Sequence, residues 1–179
     1  MGILYVVATP IGNLSDITRR SIEILNKVDI ILCEDTRNSS HLLNSLNIKT
    51  KLMSYHKFNE TTRSKEVIDL LKNNMNIAII TDAGTPCISD PGSILVQEAL
   101  KNDIEVYSIP GPSAVITSLT LTGLSIDNFA FYGFLDRKNT KQIEKLKEID
   151  KNDVEIIVLY ESPKRIINNY NCSSKTISV

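Results

Sequence analysis

The stretch from Ile79 to Gly92, Ile-Ile-Thr-Asp-Ala-Gly-Thr-Pro-Cys-Ile-Ser-Asp-Pro-Gly, joins an apolar strand to a helix through small and polar residues. Gly84 and Pro86 break the strand. Asp90 followed by Pro91 predicts the helix start, the carboxylate acting as N-cap and the proline sitting where its missing N–H costs nothing. Such a loop lies between a strand's carboxyl end and a helix's amino end. Open α/β sheets collect ligands there, and unpaired N–H groups favour an anionic or carbonyl-bearing partner. The same residue types also serve an ordinary tight connection. Pro110-Gly111-Pro112-Ser113-Ala114 is a second corner of this kind, with a helix start aimed at the same sheet edge. Glu34-Asp35-Thr36-Arg37 is a charged cluster at the end of a predicted strand, and His56 lies in the polar loop His56 to Glu60. Metal chemistry is not expected, because Cys33, Cys87 and Cys172 form no Cys-x-x-Cys pair and the only histidines are His41 and His56.

The elements that must position these residues alternate in type. The apolar run at 3–9 predicts a strand covered on both faces, and runs at 28–33, 77–81 and 104–109, with a shorter one at 51–55, predict further strands. Helical spacing predicts helices over 15–27, capped by Ser15 or Asp16, and over 38–46, 62–72 and 93–101. The alternation gives an α/β fold, with a mostly parallel sheet in an N-terminal domain over residues 1–112. A bridging helix over 113–123 leads into a second, incomplete α/β domain over 113–179, with strands at 129–135 and 154–160, a helix at 139–149 and another from Pro163. Two strands and two helices can hardly close a core of their own. Residues 168–179 lose helical periodicity and read as an abrupt stop.

At 179 residues and 42% apolar composition the chain can build a real core. Its formal charge of −1 predicts no bulk attraction to nucleic acid, so an RNA partner has to be argued from sites. The amino terminus lacks the basic stretch and cleavage pattern of a secretory signal, and no apolar run is long enough to span a bilayer. A soluble cytoplasmic protein without a membrane partner is expected. Neither a Gly-x-x-x-x-Gly-Lys-Ser/Thr phosphate loop nor a Gly-x-Gly-x-x-Gly fingerprint is present, and the Gly-x-Ser-x-Gly elbow is missing too.

Five segments, taken in order, resemble one family: Leu4 to Leu14 (Leu-Tyr-Val-Val-Ala-Thr-Pro-Ile-Gly-Asn-Leu), Glu34 to Arg37, Asp82 to Gly92, Pro110 to Ala114, and Glu161-Ser162-Pro163-Lys164-Arg165. They are similar to the ribosomal RNA small subunit methyltransferase I family of the tetrapyrrole methylase superfamily. Phe131 to Lys138 is a sixth match, with Asp136 where that family usually has proline. The resemblance runs from residue 3 to about residue 167. It implies transfer of a methyl group from S-adenosyl-L-methionine to the ribose 2′-hydroxyl of a cytidine in 16S rRNA of the small ribosomal subunit. It further implies two α/β domains with the cofactor in the cleft between them, and a homodimer when the second domain is complete. The family continues beyond the point where this chain stops, so a truncated copy is expected.

The cofactor roles implied by the resemblance fall on Ile11, on Gly84, Thr85, Ile88 and Ser89, on Ser113 and Ala114, and on Tyr160 at the end of a strand in the second domain. Each also has a plain structural use as core, helix cap or packing. Methyl transfer needs an in-line approach, and a protonated 2′-hydroxyl attacks poorly, so a base or a cationic neighbour should assist. Asp35 and His56 are the candidate bases, and Arg37 and Arg165 the candidate partners for phosphate or a developing alkoxide. An Asp35–Arg37 ion pair and a solvated His56 are the competing readings. An inactive remnant that binds cofactor weakly or not at all, and a tetrapyrrole methylase, stay open as alternatives. Against the latter, Ala8 to Asn13 stands where tetrapyrrole enzymes tend to carry a glycine-rich loop.

Overall fold

The computed structural model describes residues 1–152 and 154–166. The helix expected from Pro163 and the tail at 168–179 lie wholly or mostly outside the described residues. Two compact units are present, Met1–Thr117 and the residues from Ser118 onward, dividing inside the helix expected to bridge them.

In the first unit, strands β1 (Leu4–Val7), β2 (Ile30–Cys33), β3 (Lys51–Ser54), β4 (Ile77–Ile79) and β5 (Val106–Ile109) form one parallel sheet in the order β3-β2-β4-β1-β5. Helices α1 (Arg19–Lys27), α2 (Thr36–Ser45), α3 (Glu60–Lys72) and α4 (Ser93–Lys101) alternate with them, and α5 (Ala114–Thr120) follows. Alternate residues of each strand supply two cores. Leu4, Val6, Ile30, Leu32, Ile77 and Ile79 pack with Val67, Leu71 and Leu95 of α3 and α4. Val7, Ile31, Cys33 and Ala78 pack instead with Leu25 and Leu43 of α1 and α2. Burial on both faces is why β1, β2 and β4 read as unbroken apolar runs, whereas the edge strands β3 and β5 are partly exposed.

Two helix starts differ from the sequence reading. The first predicted helix is split: Asn13 accepts the Ser15 N–H to cap a short 3-10 turn at Leu14–Asp16, and α1 begins only after Thr18, whose side chain accepts the Ser21 N–H at 3.1 Å. Thr18, not Ser15 or Asp16, is the cap. Helix α4 begins after Gly92, not Asp90: Gly92 is the N-cap at φ 130°, and its carbonyl accepts the Val96 N–H at 2.9 Å. The Asp90 carboxylate is half-buried and hydrogen-bonded to the Thr81 side chain, so it is not available as a cap. Helix α2 starts earlier than expected, because Asp35 caps it.

The second unit contains β6 (Phe129–Phe134), α6 (Asn139–Ile149) and β7 (Ile156–Tyr160), with the two strands parallel. Parallel strands require such a helical crossover. Leu135, Leu146 and Ile149 form its buried interior. Among the described residues no helix is long and apolar enough to cross a membrane.

Candidate functional site

Register places the first unit's loops. Val6 stands opposite both Ile79 and Ser108, and Val7 opposite Ile109, so β1, β4 and β5 end level within a residue. The loops beginning at Ala8, Ile80 and Pro110 therefore emerge side by side at the sheet's carboxyl edge. Specific bonds tie them together. Thr9 and Gly84 form an antiparallel bridge, Thr9 N–H donating to the Gly84 carbonyl at 2.9 Å and Gly84 N–H to the Thr9 carbonyl at 3.1 Å. The buried Thr9 hydroxyl donates to the Thr81 carbonyl at 2.9 Å, and the Thr85 hydroxyl to the Pro112 carbonyl at 3.0 Å. Gly111 lies so close to the end of β1 that a Cβ there would sit 2.8 Å from the Ala8 Cβ, which explains glycine in that corner.

Six of the expected cofactor residues in this unit lie on these tied loops. The half-buried Ile11 side chain would be 3.4 Å from a Cβ built on Gly84, and Thr85 reaches across to the corner that carries Ser113. Ile88 is 45% exposed, although it is large and apolar. Ser89, at φ 65°, and Cys87, at φ 70°, hold left-handed backbone without being glycine. Strain of this kind costs about 1–3 kcal/mol per residue and clusters where a loop is shaped for a ligand. Sequence alone gave no sign of it. The Ser113 carbonyl accepts the Thr117 N–H at 2.9 Å, which opens α5, and the exposed Ala114 is that helix's first residue. Burial, reinforced by Asp90 and Glu60, pushes the Cys87 thiol up to about 11, so it stays protonated.

The residues expected to do chemistry are arranged less simply. Asp35 accepts the Arg37 N–H at 2.9 Å as cap of α2, and its carboxylate takes Arg37 Nε and Nη2 at 3.1 and 2.8 Å. The Arg37 side chain first, and its N–H second, hold the Asp35 carboxyl down to about 2. Asp35 and Arg37 thus satisfy each other, as in the competing ion-pair reading, and a carboxyl held this low is a weak base. Its neighbour Glu34 points to a different role. Cys33 pairs with Ser54, so Glu34 and Tyr55 leave the sheet at one level, next to the end of β4. Burial raises the Glu34 carboxyl's pKa, repulsion from Asp82 and Asp90 adds to the rise, and His56 opposes it. Asp82 is fixed by the Asn38 amide at 3.0 Å. Glu34, Ser89 and Asp90, with Lys57 and Glu60, line a hollow of about 240 Å³ beside the tied loops. Glu34, Asp82, Asp90 and Thr9 are the residues sequence reasoning passed over. For Glu34, Asp82 and Thr9 the signal was position, one or two residues beyond the last apolar residue of a strand run, whereas Asp90 was read only as a helix cap.

His56 N–H donates to Asn59 Oδ1 at 2.8 Å, while the ring's Nδ1 is buried with no partner among the described residues. Tyr160 and Arg165 belong to the second unit. Tyr160 packs its ring on Phe131 and Phe134, with centroids at 4.8 and 5.4 Å. Arg165 donates to the Asp136 carbonyl at 3.1 Å and lies 3.5 Å from Glu161 Oε2.

Level strand ends, tied loops and a parallel open sheet define an α/β protein whose three loops meet at one sheet edge. Solved structures share the fold: diphthine synthase matches with a TM-score of 0.68 at 16% identity, covering 94% of this chain and 72% of that one. Uroporphyrin-III-C-methyltransferase from Thermus thermophilus matches with a TM-score of 0.58 at 19% identity, covering 74% of this chain and 60% of that one. The chain belongs to the tetrapyrrole (corrin/porphyrin) methylases, whose family profile matches residues 3–171. Among its relatives, "Ribosomal RNA small subunit methyltransferase I" of Vibrio cholerae is 46% identical over 164 residues, 92% of this chain and 57% of that protein. The protein of that name in Synechocystis sp. is 46% identical over 93% of this chain and 60% of its own length. The one from Thermotoga maritima is 46% identical over 94% of this chain and 75% of its own length. The chain thus spans about 57 to 60% of the first two relatives it matches.

Proposed function

We propose that this chain binds S-adenosyl-L-methionine and serves methyl transfer to the ribose 2′-hydroxyl of a cytidine in 16S rRNA of the small ribosomal subunit. The observation that carries the reading is the similarity, along nearly all of the chain, to relatives named for small-subunit rRNA methylation. The tied loops fit the cofactor. Ala114 brings backbone close to the surface, Ile11 and the exposed Ile88 offer apolar contact to an adenosine, and Thr85, Ser89 and Ser113 add hydroxyls. When bound, the cofactor supplies an electrophilic methyl group. A cytoplasmic location and a homodimer belong to the same proposal, as do Tyr160 as a cofactor contact and Arg165 as an anion-binding residue.

The residues of this chain have to take the proton of the attacking hydroxyl. A carboxyl with a raised pKa is better matched to that task near neutral pH than one held at about 2, which favours Glu34 with His56 over Asp35. Glu34→Gln should lower kcat by about 10²-fold or more at unchanged cofactor affinity, while Asp35→Asn should leave most of the rate.

The test is transfer of labelled methyl from S-adenosylmethionine to small ribosomal subunits, followed by alkaline hydrolysis. A 2′-O-methyl group blocks cleavage at its own phosphodiester, so the label is expected in an alkali-resistant dinucleotide. Label on a base, label on a porphyrinoid, or no binding of S-adenosylhomocysteine by calorimetry would overturn the reading.

A further inference from the structure

The carboxyl ends of β6 and β7 carry a hollow of about 730 Å³, within the size range of small-ligand sites, that the cofactor reading does not use. Its shape begins with a bulge. Phe131 pairs with Val158 and Phe134 with Tyr160, so three steps along β6 match two along β7. Residues three apart on a regular strand face opposite sides. The extra residue, with Gly133 at φ 65°, turns Phe134 back to the side of Phe131, and both rings come to lie against Tyr160. A bulge re-aims a side chain in just this way. Phe134, at the open end of the group, is 58% exposed.

Cations line the same hollow as that ring: Arg137 and Lys138 follow β6, and Lys164 and Arg165 follow β7. The two carboxylates there are already engaged. Asp136 Oδ1 accepts the Lys138 N–H at 2.8 Å, which holds its carboxyl below the usual range, and Glu161 takes the Ser162 N–H at 2.6 Å and Arg165 at 3.5 Å. Among the described residues no ion pair engages Arg137 or Lys164, whereas the Lys138 charge helps to lower the Asp136 carboxyl. An exposed aromatic face sharing a hollow with unpaired cations is the combination that holds single-stranded nucleic acid, the ring stacking a base and the cations following phosphates.

We infer that this hollow binds one unstacked nucleotide of a single-stranded RNA, its base on Phe134 and its flanking phosphates on Arg137 and Lys164. The inference rests on the RNA-methylation reading for the nature of the partner. It differs in locating part of the RNA on the second unit, on Phe134, Arg137 and Lys164, to which no cofactor role is assigned.

The test uses the full chain and fluorescence anisotropy with a short, labelled single-stranded oligoribonucleotide, without cofactor. Phe134→Leu keeps apolar bulk and removes the stacking face; it should weaken binding about tenfold. The double variant Arg137→Ala/Lys164→Ala changes only exposed side chains. It should weaken binding by about tenfold or more and flatten the dependence of log affinity on log salt by roughly 1.4, the share of two phosphate contacts on a single strand. Affinity for S-adenosylhomocysteine, read by calorimetry, should not change in the Arg137→Ala/Lys164→Ala variant. Wild-type RNA affinity in both variants would overturn the inference while leaving the methylation reading intact. So would displacement of the RNA by poly-glutamate or duplex RNA as effective as that by unlabelled single strand. Loss of S-adenosylhomocysteine binding by the wild type, with RNA binding retained and sensitive to both variants, would instead sink the methylation reading and support the hollow.

Discussion

Asp35 and Arg37 form an ion pair whose strength can be read from the pH dependence of stability. The bidentate contact and the cap bond hold the Asp35 carboxyl at about 2, below the ordinary 3.8, so its stabilising contribution is complete above pH 3.8 and fades as pH falls through about 2. Asn is also a good cap, so Asp35→Asn isolates the charge. The urea midpoint of the wild type should exceed that of the variant near neutral pH, and the gap should close in acid. Gly111 tests the tied loops at the same scale. Its missing Cβ would lie 2.8 Å from the Ala8 Cβ, so Gly111→Ala must push the loop after β5 away from the end of β1. Affinity for S-adenosylhomocysteine should fall about tenfold, equivalent to about 1.4 kcal/mol, as read by isothermal titration.

Between residues and fold stand the helix starts, where a single hydrogen bond decides which residue belongs to the helix. Thr18 accepts the Ser21 N–H and its carbonyl accepts the Ile22 N–H, so it does the capping that spacing alone had given to Ser15 or Asp16. Thr18→Ala should cost about 1 kcal/mol of stability, within the usual range for a lost cap. Asp16→Ala, outside α1, should stay within about 0.5 kcal/mol of wild type. Urea melts of the two variants check both. Helix α4 follows the same logic. Asp90-Pro91 has the composition of a helix start, yet Asp90 is committed to Thr81 and the chain turns at Gly92 instead. Capping by composition fails where a better partner for the cap residue lies elsewhere in space.

At the scale of the whole molecule, the five-stranded sheet of the first unit gathers three loops because β1 lies between β4 and β5. A ligand that grips those loops binds only the folded state, and at about 100 times its dissociation constant it should add about 2.7 kcal/mol to stability. S-adenosylhomocysteine should therefore raise the thermal midpoint in a concentration-dependent way, read by calorimetric scanning. The second unit has a shorter interior and a different surface. Its bulged strand and cationic loops form the nucleotide-sized hollow, and Asp136, where the family resemblance expects proline, accepts a loop N–H there.

The sequence by itself determined the alternation of strand and helix, burial on both faces of the first strand, the family, and the two glycine-bearing corners, because apolar periodicity and turn chemistry are local properties of the chain. Strand order was not legible in it. That order brings Thr9 onto Gly84 and Thr85 onto Pro112, and it puts Glu34 next to Asp82 and Asp90 across wide gaps in sequence. Only the tertiary structure assigned Asp35 to Arg37 and Asp90 to Thr81, since a carboxylate's pKa and role follow from the charges and donors that folding places around it.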